Sequence, residues 1–344
     1  MIMLKYLLLP FSLVYGAVAT IRNKLFDCQI LKSKSYSEPV ICVGNLTVGG
    51  TGKTPHIEYL VRLLAGKKVA VVSRGYGRRT TGYIEVEADA DVQNVGDEPL
   101  QIKRKFQQIR VIVDEVRTHA IDALLNGGNA PDVFLLDDAF QHRQVNAGMK
   151  IVLVDYNRPI FNDMMMPSGR LREPRRNISR ADIVVVTKCP DNLTESDRQL
   201  FSNRLKLNHN QPVFFTKFAY GQLQPLNGAE EAKQLKDTKI TVATGIAQPQ
   251  RVYQYLENQG AEVTKIEFPD HHFFTVADVA NIKKVFQESG SQMVVVTEKD
   301  AMRLIGGCLL DGFAGIPLYC LPIEVAFADG RQADFNKLIA DFVA

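Results

Sequence analysis

The sequence predicts an α/β fold in which helices cover a mostly parallel sheet, joined to a smaller second α/β domain. Three observations point there. Short apolar, β-branched runs recur at Val40–Val43, Val69–Val72, Val111–Val113, Val133–Leu136, Ile151–Val154 and Ile183–Val186, and again at Ile240–Ala243 and Met293–Val296. Several are apolar throughout, as strands buried on both faces are. Helix-like stretches such as Glu58–Leu64, Val116–Leu125 and Val276–Phe286 lie between them, the alternation of strands wound by crossover helices. The chain has 344 residues, which at about 150 per domain makes roughly two domains.

The first element in the chain is apolar. Sixteen uncharged residues run from Tyr6 to Ile21; as a helix they would reach about 24 Å, short of a bilayer core of about 30 Å. A cleaved signal peptide, with Ala17-Val18-Ala19 as a loose cleavage site, and a buried core helix are the competing readings. Arg22, Lys24, Lys32 and Lys34 follow the run, and positive charge there favours retention on the cytoplasmic side of an anionic membrane. The expectation is a membrane-associated helix over residues 1–22.

Next comes Gly44-Asn45-Leu46-Thr47-Val48-Gly49-Gly50-Thr51-Gly52-Lys53-Thr54, between a buried strand run and a helix pattern. That is the context of a phosphate-binding loop and predicts a P-loop NTPase-like sheet. Backbone N–H groups of Thr47, Val48, Gly49, Gly50, Thr51 and Gly52 would cradle phosphate oxygens, helped by the positive end of the helix. Lys53 would reach the β- and γ-phosphates of ATP, and the Thr54 hydroxyl would ligate Mg²⁺. Pro55 suits the first helical turn. The strict pattern wants glycine where Thr47 stands.

Later strands end in charge. Val133–Leu136 runs into Asp137-Asp138, which aims carboxylates at the ligand edge of the sheet; helix capping is the plainer reading, and Asp114 and Asp155 also end strand runs. Two basic loops, Ser73-Arg74-Gly75-Tyr76-Gly77-Arg78-Arg79 and Ser168-Gly169-Arg170-Leu171-Arg172-Glu173-Pro174-Arg175-Arg176, suit phosphate or carboxylate, or form a solvated surface. Gly, Pro, Gln and Asn cluster over Phe218–Gly228. This sets the expected limits: a phosphate-loop domain over 23–218, a second α/β domain over 219–325 and a C-terminal helix over 326–344, able to pack on either.

Composition excludes other classes. Apolar residues are 46% and charged residues 23% of the chain, ordinary for a globular protein. The 41 basic and 38 acidic residues leave a formal charge of +3, too little for whole-surface nucleic-acid binding, and aromatic interleaving is slight. Five cysteines (Cys28, Cys42, Cys189, Cys308, Cys320) without a C-x-x-C argue against a zinc site or disulfide framework.

Taken in order, the phosphate loop, Ser73-Arg74-Gly75-Tyr76-Gly77-Arg78, Gly96-Asp97-Glu98-Pro99, Asp137-Asp138-Ala139-Phe140-Gln141-His142, Pro167–Pro174, Phe268-Pro269-Asp270-His271-His272 and Thr297-Glu298-Lys299-Asp300 resemble the tetraacyldisaccharide 4′-kinase (lipid A 4′-kinase) family. Ala139 departs from the glycine frequent there. The resemblance implies an inner-membrane kinase, on the cytoplasmic face, transferring the γ-phosphate of ATP to the 4′-hydroxyl of a lipid A disaccharide 1-phosphate, with no obligate protein partner. It implies Asp97 paired with His271 as the base, His271 being chosen over His272 for its place beside Asp270. Asp138 and Glu173 join Thr54 as metal candidates; Arg74, Arg117, His142, Arg170 and Arg172 are candidates for phosphate or sugar contacts. A P-loop ATPase switch at the membrane surface and a non-catalytic scaffold are the alternatives. Val48, where partitioning-type ATPases usually carry lysine, and Pro190, where a guanine-reading motif needs aspartate, weaken the switch.

Overall fold

A computed structural model describes residues 7–230, 235–246, 249–270, 272–306 and 309–344. Helix α1 (Leu9–Asp27) precedes β1 (Val40–Asn45), α2 (Lys53–Leu63), β2 (Val69–Ser73), β3 (Ile84–Glu85), α3 (Val92–Val95), α4 (Asp97–Lys105), β4 (Arg110–Val113), α5 (Arg117–Asn126), β5 (Val133–Asp137), β6 (Met149–Asp155) and β7 (Ile183–Thr187). Then come α6 (Glu195–Leu205), β8 (Val213–Tyr220), β9 (Gln224–Pro225), β10 (Lys239–Thr244), α7 (Gln250–Asn258), β11 (Glu262–Glu267), α8 (Val276–Glu288), β12 (Met293–Thr297), α9 (Glu298–Gly306), β13 (Leu318–Leu321), β14 (Ile323–Phe327) and α10 (Gln332–Val343).

The large sheet has the order β14-β8-β7-β6-β1-β5-β2-β4-β3. Pairing is parallel except at the two edges, where β14 meets β8 and β3 meets β4 antiparallel. All six residues of β1 are buried, because helices cover both faces. Ile41 and Val43 point to one side, among Ile57, Leu60 and Val61 of α2, Leu100 of α4 and Phe335 and Ile339 of α10. Val40 and Cys42 point to the other, among Ala120, Ile121 and Leu124 of α5 and Phe201 of α6. The C-terminal helix therefore packs on the large sheet. Truncating a fully buried leucine such as Leu60 to alanine would cost about 2–5 kcal/mol.

The second sheet, β11-β10-β12-β13-β9, is parallel except for β9. Val294 and Val296 face α8 and α9, and Val295 faces α7. The chain leaves the large sheet after Tyr220 and rejoins it at Ile323. In the large sheet, β1 lies between β5 and β6. Connections diverge around β1, the kind of switch point where open α/β sheets bind ligands beyond their strand ends.

Candidate functional site

The segment after β1 turns back at Gly52 into α2. Gly52 has φ 91°, and a Cβ there would lie 2.7 Å from the Phe218 ring, so both backbone and space call for glycine. Helices α6 and α8 open on capping boxes, Thr194 with Asp197 and Thr275 with Asp278. Helix α2 has no side-chain cap and no acid in its first turn, which leaves its dipole and first N–H groups for an anion. His56 steadies the turn: its Nδ1 lies 2.8 Å from the Gly52 carbonyl and its Nε2 3.1 Å from the Thr216 hydroxyl. A carbonyl only accepts, so Nδ1 carries the proton and Nε2 accepts from Thr216. Burial drives this imidazole down to about 4, so it stays neutral. The Val48 N–H, expected to cradle phosphate, instead donates to the Arg170 carbonyl at 2.8 Å and tethers the loop to the second basic loop, which leaves the phosphate contacts to the amides nearer Gly52.

The acidic pair sits at the end of β5. Asp138, with φ 49°, accepts from Arg172 Nη1 at 3.0 and 3.1 Å and faces Lys53 Nζ at 3.5 Å. Burial alone would raise its carboxyl, but Lys53 and Arg172 outweigh burial and hold it below the ordinary value. Asp137 accepts from Ser73 Oγ at 3.1 Å through Oδ2, and its buried Oδ1 has no hydrogen-bond partner among the described residues. Burial pushes Asp137 up to about 6; Lys53 opposes the shift, and Asp138 and Glu98 add to it. The buried Thr54 hydroxyl opens α2 beside Lys53. These are hard oxygen donors, few in number, as suits a Mg²⁺ ion that takes its other ligands from phosphates and water; the orphaned Asp137 oxygen fits such an ion. Glu173 accepts through Oε2 from Asn23 at 3.1 Å, Asn177 at 2.7 Å and Arg180 at 2.5 Å, and its buried Oε1, like Asp137 Oδ1, has no hydrogen-bond partner among the described residues.

The cationic candidates divide. Arg117 is buried, donating from Nη1 to the Asp114 carbonyl at 2.8 Å and from Nη2 to the Asp137 carbonyl at 3.5 Å. His142 lies close enough to Arg117, Arg22 and Arg74 for their charges to add to burial, and its imidazole falls to about 4. Its buried Nε2 has no hydrogen-bond partner among the described residues. A neutral ring thus stands amid three guanidinium groups, the surroundings an anionic sugar phosphate would neutralise. Arg170 is turned instead to Asp163, at 3.1 Å from Nε.

Asp97 opens α4 and is buried, held by Arg303 Nε at 2.9 Å and Nη2 at 2.5 Å. Arg303 also reaches Asp300 at 3.1 Å and the Gly245 carbonyl at 3.0 Å, so Asp97 lies on the seam between the two sheets. His271 lies outside the described residues. His272 bonds Asp278 at 3.0 Å and stacks on Phe268 with ring centroids 4.8 Å apart. Three participants escaped sequence reasoning. His56 falls one helical turn after Gly52, a spacing that signals contact with the cradle. Ser73 ends β2 in the register of Val113 on β4, a position only pairing reveals. Arg303 follows Thr297-Glu298-Lys299-Asp300, a motif that carried no assigned role.

A nucleotide cradle at the switch point of a parallel sheet, with a lysine and an acidic strand end beside it, makes this a P-loop kinase-type protein. The family is narrower. The tetraacyldisaccharide-1-P 4′-kinase model matches residues 4–344, and the chain belongs to that family. A tetraacyldisaccharide 4′-kinase of Phocaeicola vulgatus is 47% identical over 98% of this chain and 94% of its own length. One of Flavobacterium johnsoniae is 42% identical over 99% and 98%. An LpxK crystal structure from Aquifex aeolicus, in complex with ATP, matches with TM-score 0.76 and 30% identity over 99% of this chain and 100% of that one. The α/β fold and the family expected from the sequence motifs are those found.

Proposed function

We propose that the protein transfers the γ-phosphate of ATP to the 4′-hydroxyl of a lipid A disaccharide 1-phosphate. The observation that carries this is one continuous cluster, running from Lys53 through Asp138 to Arg172 and from Asp137 through Arg117 to His142. It joins the phosphate cradle to a cationic neighbourhood suited to a second, already phosphorylated ligand. Membership of the family and the likeness to an ATP-bound relative support the same reaction.

In this reading the cradle amides and Lys53 hold the triphosphate. Thr54 and Asp138, with Asp137, would hold Mg²⁺, which when bound offsets charge on the phosphoryl oxygens. Glu173, held by Arg180 and Asn23 through Oε2, fixes α1 to the basic loop and keeps Oε1 as a further candidate donor to that ion. Asp97, with His271, takes the proton of the sugar hydroxyl as its oxygen bonds phosphorus and the bond to the ADP oxygen breaks. Arg303 fixes the Asp97 carboxylate in place. Arg74, Arg117, His142 and Arg172 orient the sugar phosphate, and Arg170 shapes the loop.

Helix α1 is the membrane contact in this reading. No described helix is long and apolar enough to cross a membrane, so α1 would lie at the surface, on the cytoplasmic face of the inner membrane. The test is incubation of the full chain with γ-labelled ATP, Mg²⁺ and a membrane glycolipid extract. Label should enter a glycolipid, and Asp97→Ala should slow transfer by about 10²–10⁴ with ATP affinity retained. Label in free phosphate alone would point to an ATPase and overturn the assignment.

A further inference from the structure

The end of β7 contacts the nucleotide loop in a way the reaction scheme above does not use. Thr187 Oγ1 donates to the Thr51 carbonyl at 2.8 Å. Lys188, the next residue, is buried and donates from Nζ to the Gly50 carbonyl, while pairing with Asp155 Oδ2 at 2.8 Å. Lys188 has φ 58°, in the left-handed region that a lysine enters at a cost. Its own carbonyl is held from two sides, by Asn157 Nδ2 at 3.1 Å and by Arg251 Nη2 of α7 at 3.2 Å. Asn45 Nδ2 reaches the Thr51 hydroxyl at 2.9 Å.

A peptide's C=O and N–H point in opposite directions. Holding the carbonyls of Gly50 and Thr51 toward β7 therefore turns the N–H groups of Thr51 and Gly52 away from it, toward the hollow of the loop. No acceptor among the described residues takes either N–H. A glycine-rich loop otherwise samples many conformations, so fixing two successive peptides before nucleotide arrives removes an ordering cost from binding.

We propose that Thr187 and Lys188 are positioning residues that preset the phosphate cradle by pinning two of its carbonyls, with Asp155 aiming the ammonium. Neither touches the reacting atoms. Because Arg251 comes from the second sheet's layer, the clamp also ties that unit to the cradle. The inference rests on the nucleotide-binding reading of the loop, and its readout is nucleotide affinity, which needs no acceptor turnover.

The experiment compares ATP dissociation constants by calorimetry, with melting temperatures, for the full-length wild type, Lys188→Met, Lys188→Arg, Thr187→Val and Thr187→Ser. Lys188→Met should weaken ATP binding about tenfold, about 1.4 kcal/mol, and Thr187→Val by a smaller factor. Thr187→Ser, which keeps the hydroxyl, and Lys188→Arg, which keeps a charged donor, should hold affinity within about threefold of wild type. In turnover, KM for ATP should rise in Lys188→Met while KM for the lipid acceptor stays put. Unchanged ATP affinity in both Lys188→Met and Thr187→Val, whatever their melting temperatures, would overturn the clamp. Should Lys188→Met not fold, the Thr187→Val and Thr187→Ser pair decides: equal affinity in the two rejects the proposal. A wild type that binds ATP but labels no glycolipid would count against the kinase assignment and leave the clamp measurement standing.

Discussion

Asp137 is a carboxyl with one buried oxygen unpartnered among the described residues, and burial lifts it from 3.8 to about 6. A carboxyl raised in the folded state binds its proton more tightly there than in the unfolded chain. The nucleotide-free protein therefore has its full share of stability from this group below about pH 4 and loses it as pH rises through about 6. The shift amounts to about 3 kcal/mol. Asp137→Asn removes the titration, so the nucleotide-free variant should be more stable than wild type at pH 8, by about 2–3 kcal/mol, and equal to it near pH 4. Melting curves between pH 4 and 8 check this; an offset independent of pH would assign the strain to another group. What the sequence disclosed at this scale was local. Lys53 and Thr54 share one loop with their glycines, so their spacing carried their role. Asp97 and Arg303 stand 206 residues apart, and no spacing rule joins them. Glu173 entered as a metal candidate only through the family resemblance; its bonds to Asn23, Asn177 and Arg180, 150, 4 and 7 residues away, all fall on one oxygen, which no local pattern announces.

Helix α1 reverses the usual amphipathic arrangement. Phe11, Val14, Val18 and Ile21, spaced three or four apart, lie outward and are 58–66% exposed. The inward face carries Ser12, which bonds Ser168 Oγ at 2.8 Å, and Asn23, which bonds Glu173. Gly16 lies over Met165. The polar side is the docked side, which leaves the apolar stripe on the outer surface, where the proposed membrane contact needs it. Burying a side chain of this size contributes about 1.5–3 kcal/mol. Val14→Asp with Val18→Asp should lower co-sedimentation with anionic phospholipid vesicles at least tenfold, leaving the melting temperature within about 1 °C. Unaltered vesicle binding would place the membrane contact elsewhere. The apolar run ends at Ile21, yet the helix continues to Asp27 because Asn23 and Phe26 pack inward. Other elements escaped for related reasons. Helix α4, at Asp97–Lys105, is rich in charge and short of apolar residues. Helix α6 buries only Phe201 and Leu205. Strands β3 and β9 are two residues each, and β11 is an edge strand with no buried residue.

Across the whole molecule, the buried strand runs made the parallel sheets legible, because periodicity is local. The pairing of β14 with β8 was not, since Ile323 meets Tyr220 across the entire second sheet. The seam between the two units is built of charge that no single segment announces. Lys299 pairs with Glu98 at 2.5 Å. Lys105 Nζ lies 2.6 Å from Glu58 of α2 and 2.6 Å from Glu298 of α9, and Glu298 also accepts from the Ile323 N–H at 3.1 Å. One ammonium thus joins the helix after the phosphate loop, the second unit and the returning strand. Glu58 is fully buried, and burial followed by the charge of Glu298 already raises its carboxyl. Removing the ammonium would leave two facing carboxylates. Lys105→Met should therefore destabilise the protein by about 3–5 kcal/mol. The sign of its pH dependence follows from Glu58. With Lys105 gone, that carboxyl rises further above its unfolded value, so stability is fuller at low pH and falls as pH rises through the raised value. The deficit against wild type should be larger at pH 8 than at pH 5. Adding Glu298→Gln to Lys105→Met should recover part of it, because the repulsion needs both charges. Urea denaturation of wild type, both single variants and the double variant at the two pH values measures the coupling. A Lys105→Met deficit equal at pH 5 and pH 8, and untouched by Glu298→Gln, would mean that repulsion between Glu58 and Glu298 is not its source, and that some other contact holds the two units together.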